Sequence, residues 1–216
     1  MINNIGQQFS VINQYIAEIR DHNVQRDSLR FRKNMERLGG LFAYEISKTL
    51  EYDTREIITQ LGSVKTPVLK EQPVLVTLLR AGLPFHQGFL NMFDSARNAF
   101  ISVSRMYDGD GEFEVKMGYI SAPNIQDKTI IIIDPLLATG SSMVVSYKSL
   151  LNKGVPKKIH VASVIATKEG ITNLKKHMPQ QKLKIWVGAI DDELTVKSFI
   201  VPGLGDAGDL SFGEKL

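Results

Sequence analysis

The chain has 216 residues, 43% hydrophobic and 23% charged, which is enough to form one globular domain with a buried core. It contains no cysteine, which excludes disulfides, a thiolate nucleophile and zinc sites built on thiolates. The formal net charge of +3 suits a phosphate-bearing ligand but is too small to argue for nucleic acid. No signal peptide is recognisable at the start and no apolar run reaches the length of a membrane span, so we expect a cytoplasmic protein.

Helix-like and strand-like segments alternate along most of the chain. Apolar residues recur at three- and four-residue steps over residues 28–50, which predicts one long helix or a broken pair, with a kink or a close packing contact at Gly39 and Gly40. Strands are predicted at 74–79, 99–104, 129–134, 159–166 and 183–190, and helices at 84–92, 141–153 and 168–177. This alternation predicts a single domain over residues 1–216, of α/β class, with a doubly wound, mostly parallel sheet behind an N-terminal helical segment.

A polar stretch interrupts the alternation at residues 107–124, YDGDGEFEVKMGYISAPN. It is too long for a simple connection, and loops of that length are often functional. We expect a hairpin or a flexible flap, placed at about 106–122.

The apolar run at 130–133 ends in Asp134, and the chain continues with PLLATGSS. Such a run predicts a central parallel strand that is buried on both faces. The small residues allow a tight turn, and the helix predicted from Ser141 adds its N-terminus, so the segment offers a seat for a phosphate monoester. Asp134 can accept hydrogen bonds from sugar hydroxyls or hold water on a metal. A hydroxyl that merely caps the helix is the alternative, but one cap does not explain the whole segment.

Two further stretches carry chemistry. In LLRAGLPF, Arg80 follows the strand at 74–79 and offers a planar fork suited to phosphate, although pairing with a surface carboxylate is an equal alternative. The stretch at 199–213 interleaves four glycines with Asp206 and Asp209, so it presents backbone groups that can read a flat heterocycle. An ordinary C-terminal turn is the alternative there.

The remaining titratable residues give weaker signals. Asp191, Asp192 and Glu193 follow the strand at 183–190, and the favoured interpretation is a solvated turn rather than a place in the site. The four histidines lack metal-ligand spacing and are expected at the surface or in packing roles.

Together these stretches resemble the uracil phosphoribosyltransferases, a branch of the type I phosphoribosyltransferases. The resemblance rests on LRAG at 79–82, DPLLATGSS at 134–142 and VPGLGDAGDLSFG at 201–213, in the family's order and approximate spacing, and on RFRKNMERLGGLFAYE near the front. It implies the type I phosphoribosyltransferase fold, with a hood loop at about 199–213 that binds the base. It also implies transfer of the 5-phosphoribosyl group from phosphoribosyl diphosphate to N1 of uracil, which gives UMP and pyrophosphate in pyrimidine salvage.

The resemblance also assigns roles to individual residues. Asp134 would hold the ribose hydroxyls, Arg80 and Arg105 would grip the pyrophosphate, and these three are the catalytic candidates. The implied donor site comprises Arg80, Arg105, Asp134, Pro135, Leu136, Leu137, Ala138, Thr139, Gly140, Ser141, Ser142 and Asp206, of which Thr139 to Ser142 would cradle the 5′-phosphate. The implied uracil site comprises Ile200, Gly205, Asp206 and Ala207, which would read the base mainly through the backbone.

The resemblance extends to cofactor and partners. Mg²⁺ is the expected cofactor, held mainly by the pyrophosphate and ribose hydroxyls of the donor, and no protein metal site is expected. The flap would exclude water from the reacting donor. The family precedent implies a homodimer or higher homo-oligomer and leaves a purine-nucleotide activator open. Neither a membrane nor nucleic acid is an expected partner.

Several positions depart from the residues usual in the family, namely Ser141 (usually glycine), Leu210 (usually basic), Glu214 (usually threonine) and the less regular segment around Arg105. They bear on donor affinity and turnover more than on fold. Two alternatives stay open: a phosphoribosyltransferase for another nucleobase, and a nucleotide-binding regulator on the same scaffold. The scattered lysines disfavour an RNA-binding regulator, which would need a broad basic face.

Overall fold

A large mixed sheet lies at the centre of the computed structural model, which describes residues 1–107 and 113–214, with the backbone alone described for 104–107 and 113–115. The strands are β1 (Ile2–Asn4), β2 (Tyr52–Thr59), β3 (Gly62–Leu69), β4 (Val74–Leu79), β5 (Arg97–Tyr107), β6 (Phe113–Ser121), β7 (Thr129–Ile133), β8 (Leu136–Leu137), β9 (Lys158–Thr167), β10 (Leu183–Asp191), β11 (Glu193–Leu194) and β12 (Ile200–Val201). The helices are α1 (Val11–Arg20), α2 (Ser28–Ser47), α3 (Gly82–Met92), α4 (Ser141–Leu150), α5 (Lys168–His177) and α6 (Ala207–Phe212), with 3-10 turns at Ile5–Gln7 and Leu151–Lys153.

Eight strands form the main sheet, in the order β1-β10-β9-β7-β4-β5-β6 with β8 beside β9. Neighbouring strands run parallel except β6, which is antiparallel to β5. The register sets residues 74–77 of β4 against residues 130–133 of β7, so the two most apolar strands are neighbours at the centre. The prediction of a doubly wound, mostly parallel α/β sheet is confirmed.

The apolar strand β7 shows why both faces of the sheet need helices. Ile131 and Ile133 pack into the core on the side of α1, α2 and α3, whereas Ile130 and Ile132 pack into the core on the side of α4 and α5. Successive strand side chains point to opposite faces, so a run of isoleucines requires an apolar layer on each side.

Helix α2 is continuous through Gly39 and Gly40. A Cβ atom on Gly39 would lie 2.1 Å from the Phe85 carbonyl oxygen, and one on Gly88 of α3 would lie 2.0 Å from the Glu36 carbonyl oxygen. The two helices therefore touch backbone to backbone, and the predicted close packing contact at Gly39 is confirmed. This contact also fixes α3, the helix that follows Arg80.

Strands β2 and β3 form a two-stranded antiparallel hairpin separate from the main sheet. Every residue of β2 is exposed, and β3 is exposed over most of its length. This hairpin is not predicted from the sequence, because charged residues such as Asp53, Arg55 and Glu56 are interleaved with its apolar ones and leave no clean alternation.

Strand β6 accounts for most of the stretch predicted as a flap at about 106–122, and it pairs with β5 with an irregularity at Ser102 and Val103. Residues 108–112 of that stretch lie outside the described residues. Over the described ranges, no helix combines the length and the apolar character needed to cross a membrane.

Candidate active site

A cavity of about 620 Å³ opens at the carboxyl ends of β4, β5 and β7. This is the edge of a parallel sheet where ligands of doubly wound folds bind, since loops and helix N-termini converge there. Its described lining includes Leu78, Leu79, Arg80, Ala81, Ser102, Val103, Asp134, Leu136, Leu137, Ala138, Thr139, Gly140, Ser142, Met143, Lys197, Ser198, Phe199, Ile200, Gly205, Asp206, Ala207 and Gly208. All three stretches singled out in the sequence therefore meet in one cavity.

The loop between β7 and α4 forms the first wall. Gly140 has φ +78° and is the residue immediately before α4. The backbone N–H groups of the first turn of α4 have no partner within the helix and therefore point toward this loop. A Cβ atom on Gly140 would lie 2.9 Å from the Gly170 carbonyl oxygen, so both the backbone angle and the space require glycine. The 10-residue helix directs its positive dipole end at this point, which favours a bound anion.

Helix α5 and its N-cap residue Thr167 hold the loop between β7 and α4 from behind; residues 134–142 are called the phosphate loop for their predicted role. The Thr167 hydroxyl donates to the Ala138 carbonyl oxygen and the Asn173 side-chain amide donates to the Thr139 carbonyl oxygen, both at 2.7 Å. In a planar trans peptide, the following N–H points opposite to the carbonyl. The N–H groups of Thr139 and Gly140 are therefore directed away from α5, on the side where a phosphate would be bound.

Arg80 lies one residue beyond β4, at a cis peptide bond with Leu79. Its Nη2 donates to Asp209 Oδ1 at 3.0 Å and to the Gly213 carbonyl oxygen at 3.2 Å. Its Nε is buried and has no hydrogen-bond partner among the described residues, so the protein does not use this donor of the guanidinium. The carboxylate pairing that the sequence left as an alternative is thus present, in a residue that also lines the cavity.

Asp134 follows β7 directly and is partly buried at the cavity wall. Its Oδ1 accepts a long hydrogen bond of 3.4 Å from the Leu136 N–H, and its carbonyl oxygen accepts from the Ser163 hydroxyl at 2.7 Å. The Ser163 contact ties the backbone at Asp134 to β9. A carboxylate held this way at the strand end can accept hydrogen bonds from sugar hydroxyls.

The opposite wall is the loop that the sequence analysis placed at 199–213. Strands β11 and β12 pair Leu194 with Ile200, and the Thr195 N–H donates to the Phe199 carbonyl oxygen. Because hydrogen-bonded and non-hydrogen-bonded pairs alternate along an antiparallel ladder, the N–H and C=O of Ile200 point away from β11. These groups belong to a residue that lines the cavity, so they suit the edge of a heterocycle.

The other predicted base-binding residues follow in the same loop. Gly205 has φ +95°, and Asp206 caps α6 by accepting from the N–H groups of Gly208 at 2.8 Å and Asp209 at 3.0 Å. Ala207 is buried and lines the cavity. Asp206 is therefore first of all a helix cap, and its carboxylate keeps further acceptor capacity.

The solvated-turn interpretation of Asp191 is wrong. Asp191 is 7% exposed; its carboxylate receives Arg20 Nη2 at 2.7 Å and Nη1 at 2.8 Å and accepts the Gly203 N–H at 2.9 Å. Burial alone would raise the pKa of Asp191, but the hydrogen bonds from Arg20 and Gly203 outweigh it, and the pKa is lowered. Asp192, the next residue, is exposed and pairs with Lys168.

Several predicted donor residues do not line the cavity among the described residues. Pro135 is buried, and its carbonyl oxygen accepts from Val164 and Ile165 of β9, so its role is to anchor the loop. The Ser141 hydroxyl accepts from the Thr139 hydroxyl at 3.2 Å, so the added side chain is directed along the loop. Arg105 lies on β5 opposite Val115, and its side chain falls outside what the structure describes.

The other departures from the family lie around α6. Leu210 is partly buried against the core on the α2 side, and its Cδ1 would lie 3.9 Å from a Cβ on Gly205. Glu214 is exposed at the end of the described chain. Within residues 199–213, called the base loop for its predicted role, the Leu210 side chain thus lies close to Gly205.

Two cavity residues, Lys197 and Ser198, were not predicted from the sequence, and Phe199 was covered only as the first residue of the stretch at 199–213. All three line the cavity beside Ile200, and Ser198 has φ +60°. The signal that could have revealed them is Lys197, an isolated lysine two residues before the glycine-rich stretch at 199–213. It places a positive charge next to the predicted base site.

A doubly wound sheet with a phosphate loop after β7 and an arginine after β4, facing a loop that offers backbone groups, defines the class of type I phosphoribosyltransferases. The family model described as uracil phosphoribosyltransferase matches residues 7–214. The chain belongs to the uracil phosphoribosyltransferase family, and the resemblance found in the sequence is confirmed.

Individual relatives agree with the family model. A uracil phosphoribosyltransferase from Porphyromonas gingivalis is 50% identical over 212 residues, which cover 98% of each chain. A uracil phosphoribosyltransferase from Pyrococcus furiosus is 38% identical over 206 residues, which cover 94% of this chain and 86% of the relative. The solved structure of the AQ2163 protein from Aquifex aeolicus is similar with a TM-score of 0.87 at 28% identity, over 99% of this chain and 98% of that one.

Proposed function

We propose that this chain transfers the 5-phosphoribosyl group of phosphoribosyl diphosphate to N1 of uracil, giving UMP and pyrophosphate. The observation that carries the proposal is that a phosphate loop, a strand-end arginine and a backbone-presenting loop line one cavity of about 620 Å³. A cavity of that size accommodates a small ligand pair at the carboxyl edge of the sheet.

The phosphate, ribose and pyrophosphate groups of the donor each have a matching set of residues in the cavity. The N–H groups of Thr139 and Gly140, the Ser142 hydroxyl and the α4 dipole bind the 5′-phosphate, and Asp134 accepts from the ribose hydroxyls. The buried Nε of Arg80 supports a role on the pyrophosphate, because an unpaired buried donor is stabilised by an anionic acceptor. Arg105 is proposed as the second pyrophosphate arginine on the family resemblance alone.

Uracil is read by the backbone of the opposite loop. Ile200 presents both an N–H and a C=O away from β11, which is the donor–acceptor pattern that O4 and N3–H of uracil require. Cytosine carries an amino group and an unprotonated N3 at those positions, so both backbone groups would lose their partners. A mismatch of that kind reduces the rate by on the order of four decades.

The reaction needs electrostatic stabilisation and positioning rather than a covalent nucleophile. Positive charge develops on the ribose and negative charge on the departing pyrophosphate. Asp134 faces the ribose and Arg80 the leaving group, so each bears the charge that stabilises its side of the transition state. The two loops hold N1 of the base close to the anomeric carbon, which supplies the proximity contribution.

Mg²⁺ fits this site as a cation carried by the donor. Among the described residues, there is no cluster of three or more His, Cys, Asp or Glu residues that could hold a metal ion. The carboxylates of the described cavity lining are Asp134 and Asp206. We propose that the donor's own pyrophosphate and ribose oxygens would hold the ion and that Asp134 would be the protein carboxylate that supports it. When bound, the ion neutralises charge on the leaving pyrophosphate.

Three further features belong to the proposal. Residues 106–122 act as the flap that excludes water, the protein works in the cytoplasm, and it forms a homodimer or a higher homo-oligomer. The exposed hairpin of β2 and β3 supports the oligomer, because an isolated two-stranded hairpin is at best marginally stable in water. A purine-nucleotide activator stays a prediction from the family resemblance.

Pyrophosphate release from phosphoribosyl diphosphate with Mg²⁺ tests the function, with uracil, cytosine, orotate, hypoxanthine and xanthine offered in parallel. We expect release with uracil alone, and a loss of about 100-fold or more in kcat/KM for Arg80→Ala and Asp134→Asn. Arg97→Ala and Asp94→Asn, exposed residues at the amino edge of the sheet, serve as matched controls and should keep full activity.

The other outcomes separate the alternatives. Release with a different base would keep the mechanism and overturn the substrate. Donor binding without release for any base would overturn the enzyme and favour the nucleotide-binding regulator.

A further inference from the structure

An ion pair outside the cavity, formed by the buried Asp191 and the partly buried Arg20, holds one residue of the base loop by both of its backbone polar groups. Arg20 and Asp191 form two hydrogen bonds at 2.7 and 2.8 Å. The same Arg20 Nη1 donates to the Gly203 carbonyl oxygen at 2.9 Å, and the Asp191 carboxylate accepts the Gly203 N–H at 2.9 Å. The pair therefore binds both the donor and the acceptor of Gly203.

The Gly203 backbone is in turn packed against the proposed base-reading residue. Gly203 has φ +55°, and a Cβ atom on it would lie 2.2 Å from the Ile200 carbonyl oxygen. A shift of the Gly203 backbone toward Ile200 would therefore press on the Ile200 carbonyl group. Neither Arg20, Asp191 nor Gly203 is part of the described cavity lining, so the pair acts on the base through the loop.

The pair also joins three separate parts of the chain. Arg20 is the last residue of α1, Asp191 is the last residue of β10, and Gly203 follows β12. A buried ion pair adds little net stability compared with apolar packing, but removal of one partner leaves a buried charge unpaired. Such a pair is therefore better suited to fixing a geometry than to adding stability.

We propose that Arg20 and Asp191 are positioning residues for recognition of the nucleobase, which fix the backbone at Gly203 and through it the base-reading backbone of Ile200. The inference rests on the proposed function. It predicts that damage to the pair weakens the use of uracil and leaves the donor site intact, because the phosphate loop is anchored separately by Thr167 and Asn173.

The test measures KM for uracil and KM for phosphoribosyl diphosphate separately in Asp191→Asn and Arg20→Met. We expect the uracil KM to rise by about tenfold or more and the donor KM to change by less than about twofold. Arg20→Lys keeps the charge but not the fork, so it should recover part of the loss. Glu18→Gln is the matched control, since it alters the Arg30–Glu18 pair between α1 and α2 without contact with the loop.

Thermal unfolding of each variant, at fixed protein concentration, shows whether it is folded at the assay temperature. An equal rise in both KM values, or a uracil KM that stays at the wild-type level in folded variants, would overturn the inference. Wild-type protein is assayed first: if it releases no pyrophosphate with uracil, the proposed function fails. In that case, the effect of the variants on uracil and UMP binding by calorimetry still decides the positioning role, and unchanged binding would overturn it.

Discussion

Arg80 forms an ion pair with a carboxylate of the protein, and in our proposal it binds the pyrophosphate of the donor instead. Its partner Asp209 lies in the first turn of α6, and the two side chains are 36% and 33% exposed. A partly exposed pair of this kind contributes less than about 1 kcal/mol, which a pyrophosphate group readily exceeds. Donor binding would therefore exchange one anionic partner of Arg80 for another.

Asp209→Asn tests that exchange. Removal of the competing carboxylate frees the Arg80 guanidinium and reduces negative charge near the pyrophosphate, so we expect the donor KM to fall by about two- to fivefold, the factor that up to 1 kcal/mol allows. Steady-state kinetics at saturating uracil measures it. A higher donor KM would contradict the exchange and would mean that Asp209 holds Arg80 in its productive orientation.

Two buried histidines place titratable groups inside the elements that carry the site. His86 on α3 bonds to Thr77 at 2.6 Å, and Nδ1 of His160 on β9 accepts the Trp186 indole N–H at 3.0 Å. Burial lowers the pKa of each histidine to about 4, and for His160 nearby lysines add to the effect. Both residues have the packing role expected from the sequence.

These lowered pKa values make stability depend on pH. Between about pH 6.5 and 4 the unfolded chain binds protons that the folded chain does not, so the free energy of unfolding decreases as the pH falls through this window. We expect a loss of about 2 kcal/mol per histidine between pH 7.5 and 5, measured by urea unfolding at fixed protein concentration.

The substitution His160→Gln isolates one contribution, because glutamine keeps an acceptor for Trp186 without a titrating ring. It should remove about half of the pH dependence that the two histidines produce. An unchanged slope in that variant would show that His160 does not resist protonation in the folded protein.

The helices and strands that could be predicted are those in which the burial of their own side chains sets the pattern of apolar residues in the sequence. Strands β4 and β7 are apolar because both faces are covered, and α5 has the predicted bounds 168–177 because its stripe and its Thr167 cap are local signals. The hairpin of β2 and β3 lacks a buried face, so no such pattern marks it.

Single residues of the site could likewise be predicted only where a local sequence pattern marks them. Asp134, Arg80 and the phosphate loop follow strand ends, where the fold class alone predicts a ligand. Asp191 also lies at a strand end, as the last residue of β10, but its partner Arg20 lies 171 residues away, and no local spacing reveals such a pair. Lys197 and Ser198 reach the cavity only because β11 and β12 turn that segment back toward the phosphate loop.

At the scale of the whole molecule, the active site and the hairpin are separate features. The site residues gather at the carboxyl edge of the main sheet, while β2 and β3 form a sheet of their own. Ile58 on β2 is 86% exposed, and Leu61 in the turn between β2 and β3 is 100% exposed. Exposed apolar residues on such a hairpin indicate an interaction surface, since contact with water is unfavourable for the apolar side chains and the unpaired strand edges can pair with another chain.

We expect the hairpin to bind a second copy of the chain, because it carries both signs of charge, with Glu56 opposite Lys65 and Arg55 beside them, and can thus be self-complementary about a twofold axis. The double substitution Ile58→Lys and Leu61→Lys should shift the protein to monomer in sedimentation velocity at micromolar concentration. Phe9→Lys, which charges an equally exposed apolar residue outside the hairpin, is the control and should leave the assembly unchanged. A double variant that sediments like the wild type would exclude the hairpin as the contact between copies.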